Sequence, residues 1–574
     1  MKLQFFFPLF LLIVSPSFAQ QVYIDESLSD WDQIDPLYTD GEDSFSPVNF
    51  GVLKIDNDDR FLYFYLEVGA EITLQENNNV TLFIDTDYNT STGNTKDEIG
   101  ADLEYNLGQR RGSIHRNSST NINSYNIGLV SAPTVTSTWF EFKIDLNTTI
   151  NGTPLFKGNK IAVVITSASG DQIPEKNQEL TYTLKSDKVF EPTSYQIKKP
   201  LYSDLRVLTY NVLRDNLFDP SKQEYFQRII SAIDPDIIGF QEIYDNSGEQ
   251  AAALVETFLP SEAGEQWYHG DTGNDNLIVS RYPITKQQTV DGNAAYLLDL
   301  GTRDLLALVA HPPCCANGDT GRQREINAMM AFVRKSKSGE AFDIADKTPI
   351  IIMGDMNMVG QAQQQRTLLT GDITNNTNHG PDFDPDWDGS AFEDAKPFNP
   401  EMPTTFTWYS SGSSFSAGRL DYMVYSGSVL HLDNTFSLFT PALPADTLSQ
   451  YGIQSDDSII ASDHLPVVAD FTFTELSSNQ FMDEIPTSVG LMQNYPNPFN
   501  PGTTLTFRLD TPSRISLSVQ TITGQTVAVL VDNQMLSSGI HSRYFDATDL
   551  ASGVYLYQLQ SGEQVITKKM LLIK

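Results

Sequence analysis

Apolar and polar positions fall into three regimes along the chain. From residue 21 to about 195, short aromatic and β-branched runs at 61–66, 80–84 and 161–165 are separated by Asp, Asn and Gly turns, a pattern that predicts an all-β sandwich. From 203 to 474, strand-like runs at 205–210, 237–240, 350–353 and 420–424 alternate with helical stripes. Phe226, Ile229, Ile230 and Ile233 share one face behind a predicted capping box at 221–224, and Ile326, Met329, Met330 and Val333 repeat that spacing. The stripes read as core and the region as α/β. Residues 475–491 read as a polar linker, and 492–574 as short strands again.

Two polar segments interrupt this scheme. Asp85, Asp87 and Asn89, followed by Gly100 and Asp102, set oxygen donors in alternation after a strand, as a structural Ca²⁺ loop requires, without the Gly and bidentate Glu of an EF-hand. The insertion at 375–403 carries Asp382, Asp384, Asp386 and Asp388, which read either as a further Ca²⁺ loop or as a solvated one. At the start, Lys2, an apolar run over 3–14 and Ser17-Phe18-Ala19 read as a signal peptide over 1–19, too short to span a bilayer. No other run is long enough, so the chain is expected to be exported, with no transmembrane segment.

Length and charge sharpen the picture. At 574 residues the chain is too long for one core. Of its formal charge of −36, positions 201–470 hold 38 acidic against 16 basic residues, while 491–574 are nearly balanced at 5 against 6. Such an acidic middle region argues against a broad, non-specific grip on a polyanion, which rests on Lys and Arg at phosphates, but leaves local nuclease chemistry open. The two cysteines, Cys314 and Cys315, are adjacent and staple no domains; beside His311 they are either a vicinal disulfide shaping a loop or two ordinary thiols.

The chemistry sits where apolar runs end. Asn211 closes one, Gln241-Glu242 a second, Gly354-Asp355-Met356-Asn357 a third; Arg419-Leu420-Asp421-Tyr422 and Ser462-Asp463-His464 follow. Any one such residue is most often a turn or cap. As a set, Glu242, Asp355, Asn357 and Asp463 are hard donors of the kind Mg²⁺ or Mn²⁺ takes, and His464 and His311 supply a base and a proton donor. A P-loop, Gly-x-Ser-x-Gly, His-Glu-x-x-His and Cys-x-x-Cys are all missing from the sequence.

In that order these segments resemble the endonuclease/exonuclease/phosphatase superfamily over about 203–474, and 276–284 looks like its Asn-x-x-x-Ser-Arg-x-Pro stretch. The resemblance implies two stacked mixed sheets between helix layers, and a secreted, divalent-metal-dependent phosphodiesterase with nuclease-type chemistry. Glu242 would hold the metal, helped by Asp463 or, at a second position, by Asp355 and Asn357. His464 would be the base oriented by Asp421, and His311 the donor, with Asp275 behind it. Asn211 and Asn357 would orient phosphate and nucleophile, and Arg281, Arg324 and Asn276 would steady substrate. Lipid head groups or small phosphoesters, as in sphingomyelinases, are the alternative substrates; a non-catalytic surface-binding protein is the rival from another class.

Two flanking resemblances complete the layout. The acidic loop, with Ser29-Asp30-Trp31, looks like family 9 carbohydrate-binding and related sandwich modules, implying carbohydrate as a partner. Tyr495-Pro496-Asn497-Pro498-Phe499, Gly524, Gly553-Val554-Tyr555 and the terminal Lys568-Lys569-Met570 look like a type IX secretion sorting domain, implying the secretion machinery as a partner and a secreted or surface-attached product. The expected fold is therefore multidomain: an all-β sandwich, an α/β four-layer sandwich and a small all-β sandwich.

Overall fold

The computed structural model describes residues 21–41, 46–116, 118–200, 203–474 and most of 489–572. The expected signal peptide at 1–19 lies outside the described residues, as do 475–488 of the expected linker and the Tyr495-Pro496-Asn497-Pro498 stretch. Chain contacts divide the molecule into two compact units, one formed essentially by residues up to 473 and one from 474 on. Among the described residues, no helix is long and apolar enough to cross a membrane.

The first module is the expected sandwich. A five-stranded sheet carries the long strand Phe61–Ile72 between Val52–Asn57 and Ser137–Asp145, and a seven-stranded sheet carries Thr81–Asp85 and Lys160–Thr166. Side chains alternate across a strand. Leu62, Phe64 and Leu66 point into the core between the two sheets, while Phe61, Tyr63 and Tyr65 point out. These outward aromatics are buried too, because Trp31 and Phe190 join them in a second cluster completed by Phe406, Ala417, Phe439 and Leu465 of the next region. The module and the α/β region thus share a core.

The α/β region is built on β1 (Leu205–Asn211), β2 (Ile237–Gln241), β3 (Asp304–Ala310), β4 (Ile350–Asp355), β5 (Asp421–Tyr425) and β6 (Val467–Phe473). One six-stranded sheet has β2, β1 and β6 at its centre; the other has β3, β4 and β5. β1 runs parallel to β2 and β3 to β4, while β5 and β6 are antiparallel to their neighbours. Val207 and Ile237 of the first sheet pack against Val309, Ile351 and Met353 of the second. Gly239 lies where the sheets approach, since a Cβ there would meet Met353 at 3.0 Å.

Helices cover both outer faces. Phe226, Ile229, Ile230 and Ile233 of α1 (Gln223–Ile233), with α2 (Gly248–Phe258), bury Leu208, Tyr210, Ile238 and Phe240. Ile326, Met329, Met330 and Val333 of α3 (Cys315–Lys337), with α4 (Ala362–Thr370), bury Leu306, Leu308, Ile350 and Ile352. This is the four-layer α/β sandwich. The capping box expected at 221–224 does not form: Lys222 is the N-cap of α1 without a side-chain bond. The helix starts one residue later than the box requires, and the Ser221 hydroxyl donates to Asp219 Oδ1 at 2.8 Å.

The last unit is a small β-sandwich of a three-stranded and a four-stranded sheet around Leu505, Leu517, Val519, Tyr557 and Leu572. Its first strand, Val489–Leu491, pairs with Leu509 to Phe507, so the end of the expected linker belongs to this sheet.

Candidate active site

The catalytic candidates meet at one edge of the stacked sheets because parallel strands end there and antiparallel ones begin there. Asn211 ends β1, Glu242 follows β2, His311 follows β3, Asp355 ends β4, Asp421 begins β5 and His464 precedes β6. The turns off these strands are tight. Leu213, Arg214, Asp215, Glu242 and Asn357 all have positive φ, a conformation non-glycine residues hold only where the surroundings impose it. Gly354 at φ 141° is required by sterics, since a Cβ would lie 2.0 Å from Ala310 O.

Two histidine–aspartate dyads face one shared carboxylate. His464 Nδ1 lies 2.8 Å from Asp421 Oδ2 and its Nε2 3.5 Å from Asp355 Oδ2. His311 Nδ1 lies 2.5 Å from Asp275 Oδ2, and its Nε2 is 3.6 Å from the same Asp355 oxygen and 3.8 Å from Glu242 Oε1. Each aspartate fixes which ring nitrogen faces the cleft. Burial works against charge on both rings, but the surrounding carboxylates outweigh it. Asp421, Asp355 and Asp463 push His464 up to about 10, and Asp275, Asp355 and Glu242 push His311 up to about 9.

Amide groups hold the acids in place. Asn211 Nδ2 donates at 3.1 Å to both Glu242 Oε1 and Asp355 Oδ2, clamping two carboxylates that repel each other. Asn357 Nδ2 donates to Pro312 O at 3.0 Å and to Asp355 Oδ2 at 3.3 Å. Ser462 Oγ donates to Asn211 O at 2.8 Å and accepts from His464 N, tying the histidine loop to β1. Gln241 turns inward, to Thr209 Oγ1 and Gly239 O.

The donor set suits a hard divalent cation. Ligand atoms of Glu242, His311 and Asp355 lie within 4.8 Å of one another, as do those of Asp355, Asp421 and His464. A cation there would relieve the repulsion among the carboxylates that Asn211 holds together. Asp463 stands outside both groups, its Oδ2 accepting from Trp408 Nε1 at 3.1 Å.

Three residues expected to contact substrate have other partners here. Arg281 sits at the wrong end of its strand: Ser280 pairs with Ile237, the first residue of β2, whereas Glu242 follows the last. Its guanidinium lies 4.3 Å over Trp267 and faces Asp234 and Glu265. Arg324 pairs with Asp291 at 2.8 Å and Glu325 at 3.0 Å, and so is spent on rim acids. Asn276 is fully buried behind Asp275, donating to Gly292 O at 3.2 Å.

The cleft, about 830 Å³, has a cation that the sequence reading passed over. Among the described residues Arg214 is the one arginine or lysine lining it; the side chain is exposed, and its backbone N–H donates to Glu242 Oε2 at 3.0 Å. Its signal was position, three residues beyond Asn211. Tyr244 and the adjacent pair Cys314–Cys315, joined as a disulfide, also line it. The loop carrying this pair is fastened by the buried Arg322, which donates to Pro313 O at 2.7 Å.

In the first module, Asp85, Asp87 and Asp102 converge, with ligand oxygens within 4.8 Å of one another. Burial pushes Asp85 and Asp102 upward, and Asp102 Oδ1 is buried without a hydrogen bond, 3.6 Å from Arg116. Asn89 follows in the same loop: its backbone N–H donates to Asp85 Oδ1 at 3.0 Å and its side-chain oxygen accepts from Ser91 N at 3.1 Å. Asp382, Asp386 and Asp388 in the later insertion likewise accept from nearby groups, Ile373 N, Ser428 N and Ser390 N, and form no cluster among the described residues.

Residues 208–464 match the Endonuclease/Exonuclease/phosphatase family, and residues 493–574 match the Secretion system C-terminal sorting domain. Similar solved structures include TDP2 from Caenorhabditis elegans, at 16% identity and TM-score 0.31, covering 47% of this chain and 97% of the other. Sphingomyelinase C from Streptomyces griseocarneus aligns at 16% identity and TM-score 0.31, covering 46% and 98%. ANGEL2, a 2',3'-cyclic phosphatase, aligns at 18% identity and TM-score 0.33, covering 50% and 99%. No curated protein matches the chain.

Proposed function

Residues 208–464 are an endonuclease/exonuclease/phosphatase family domain, and from that premise we propose that the chain is an exported, Mg²⁺- or Mn²⁺-dependent hydrolase of phosphodiester bonds. The observation that carries the reading is the pair of dyads, His464–Asp421 and His311–Asp275, presenting both Nε2 atoms to Asp355 beside Glu242. Glu242 and Asp355 would hold the cation, with Asn357 at their side. When bound, that ion supplies a Lewis acid for the phosphoryl oxygen and the leaving oxyanion, and offsets the negative field that raises both histidines.

The residues of the chain do the rest. Asp421 keeps the proton of neutral His464 on Nδ1, so that Nε2 accepts a proton from the attacking water. His311, held protonated by Asp275, donates from Nε2 to the phosphate or the leaving oxygen. Asn211 and Asn357 fix the carboxylates, and Arg214 offers its guanidinium to the phosphate. The sorting domain delivers the enzyme through the type IX machinery to the surface or the medium, after a leader at 1–19. Asp85, Asp87 and Asp102 would bind Ca²⁺ as a structural ion.

The test is hydrolysis of bis(4-nitrophenyl) phosphate by the EDTA-treated protein before and after Mg²⁺ or Mn²⁺. The expected result is no turnover without metal and full recovery with it. Equal rates in both states, or no turnover in either, would refute the reading.

A further inference from the structure

The first β-sandwich builds one wall of the catalytic cleft. Gln75, in the turn after the strand Phe61–Ile72, donates from Nε2 to Ser416 Oγ at 2.8 Å and accepts from Ser416 N at 2.9 Å. Arg110 lies over the Phe415 ring at 4.0 Å, donates to Gln75 O at 2.5 Å and pairs with Glu76 at 3.5 Å. Thr134 donates to Met358 O at 2.5 Å and lies 3.2 Å from Arg419 O, stitching together the loops that carry Asn357 and Asp421. The shared aromatic core beneath these contacts fixes the wall in place.

This wall changes what can enter. Thr73 to Glu76 and Pro133-Thr134 line the cleft together with Glu242, His311, Asp355 and His464. Its volume, about 830 Å³, is that of a small-molecule site. Charge points the same way, because the lining holds Glu76, Asp275 and Glu325 beside Arg214, whereas a duplex is gripped by many cations along its phosphates. Tyr244 and Phe415, the latter with Arg110 over one ring face, remain 56% and 36% exposed and line the cleft, adding aromatic surface suited to a planar organic group.

We propose that the β-sandwich is the specificity element of this hydrolase: it restricts the site to small phosphoesters bearing a planar or apolar group and excludes bonds inside a duplex. The inference rests on the phosphoesterase reading above. Glu76 and Gln75 set the wall, and neither touches the groups that move protons.

The experiment compares kcat/KM for bis(4-nitrophenyl) phosphate with nicking of closed circular duplex DNA, in the full chain and in Gln75→Ala. We expect the full chain to prefer the small ester by at least 10³-fold, and Gln75→Ala to narrow that preference tenfold or more by loosening the wall. Ser416→Ala, which removes only the hydroxyl partner, should narrow it to a smaller extent and serves if Gln75→Ala fails to fold. Duplex nicking within tenfold of the small ester, or a preference unchanged in both folded variants, would overturn the inference while leaving the hydrolase reading intact. Inactivity on both substrates with metal present would overturn the hydrolase reading, and the inference with it.

Discussion

Asp421→Asn probes the base dyad most directly. The carboxylate is fully buried and meets His464 Nδ1 at 2.8 Å, while His464 Nε2 stands 3.5 Å from Asp355. Burial disfavours the imidazolium, yet Asp421, Asp355 and Asp463 raise it from 6.5 to about 10. At ~1.36 kcal/mol per pH unit, that is a net preference of about 4–5 kcal/mol for the charged ring. Burial raises the Asp421 carboxyl too, against the pull of His464. The two directions describe one shared proton, and it rests on the imidazole, the weaker acid of the pair. An amide in place of the carboxylate keeps the shape but removes the charge and turns an N–H toward Nδ1, driving the ring proton onto Nε2, the atom that must accept. The expected fall in kcat on bis(4-nitrophenyl) phosphate at saturating Mn²⁺ is about 10²- to 10⁴-fold. Stability in EDTA supplies a second readout. A histidine raised by folding contributes fully below pH 6.5 and loses that contribution as pH climbs toward 10, so the wild type should weaken by about 3–5 kcal/mol across this window, with a much flatter profile in the variant. Urea melts at pH 6, 8 and 10 measure it. A folded variant with kcat within threefold of wild type, or with the same pH slope, would refute the reasoning.

Three further expectations follow from other sites. Burial raises cleft-lining Glu325 to about 7, so the unfolded chain releases this proton first; stability should fall as pH rises from about 4.5 to 7, and urea melts of Glu325→Gln should lose that part of the slope. Ca²⁺ should raise the melting temperature of the full chain by several degrees and Asp87→Ala should abolish the rise; a melt indifferent to Ca²⁺ and EDTA would make these acids turn residues. Deleting residues 475–574 should stop surface delivery in a host with type IX secretion, while kcat/KM of the purified protein stays within twofold; lost activity would make the tail part of the enzyme.

The sequence was legible wherever a local pattern has one cheap solution. The stripes at Phe226 and Ile326 bury where spacing put them, and each strand-end motif lies at the common edge. The surroundings of Arg281 and Arg324 were not legible, because a motif's spacing does not say which end of a strand faces the cleft or which acids pair with a guanidinium. The capping box at 221–224 does not form because the helix begins one residue later, with Lys222 as its N-cap.

By itself, then, the chain determined its element types, its multidomain character and the polar strand-end residues that meet in the cleft, because hydrophobic period and strand-end polarity are properties of neighbouring residues. Only tertiary structure decided that Asp355 is shared by two dyads, that Asp463 turns to Trp408, and that Arg214 lines the cleft. It also decided that the first sandwich belongs to the site. The unbroken aromatic run at 61–66 shows that both faces of a strand are buried, but what covers the second face, here Phe406, Phe439 and Leu465, lies more than 300 residues away, beyond the reach of any local pattern.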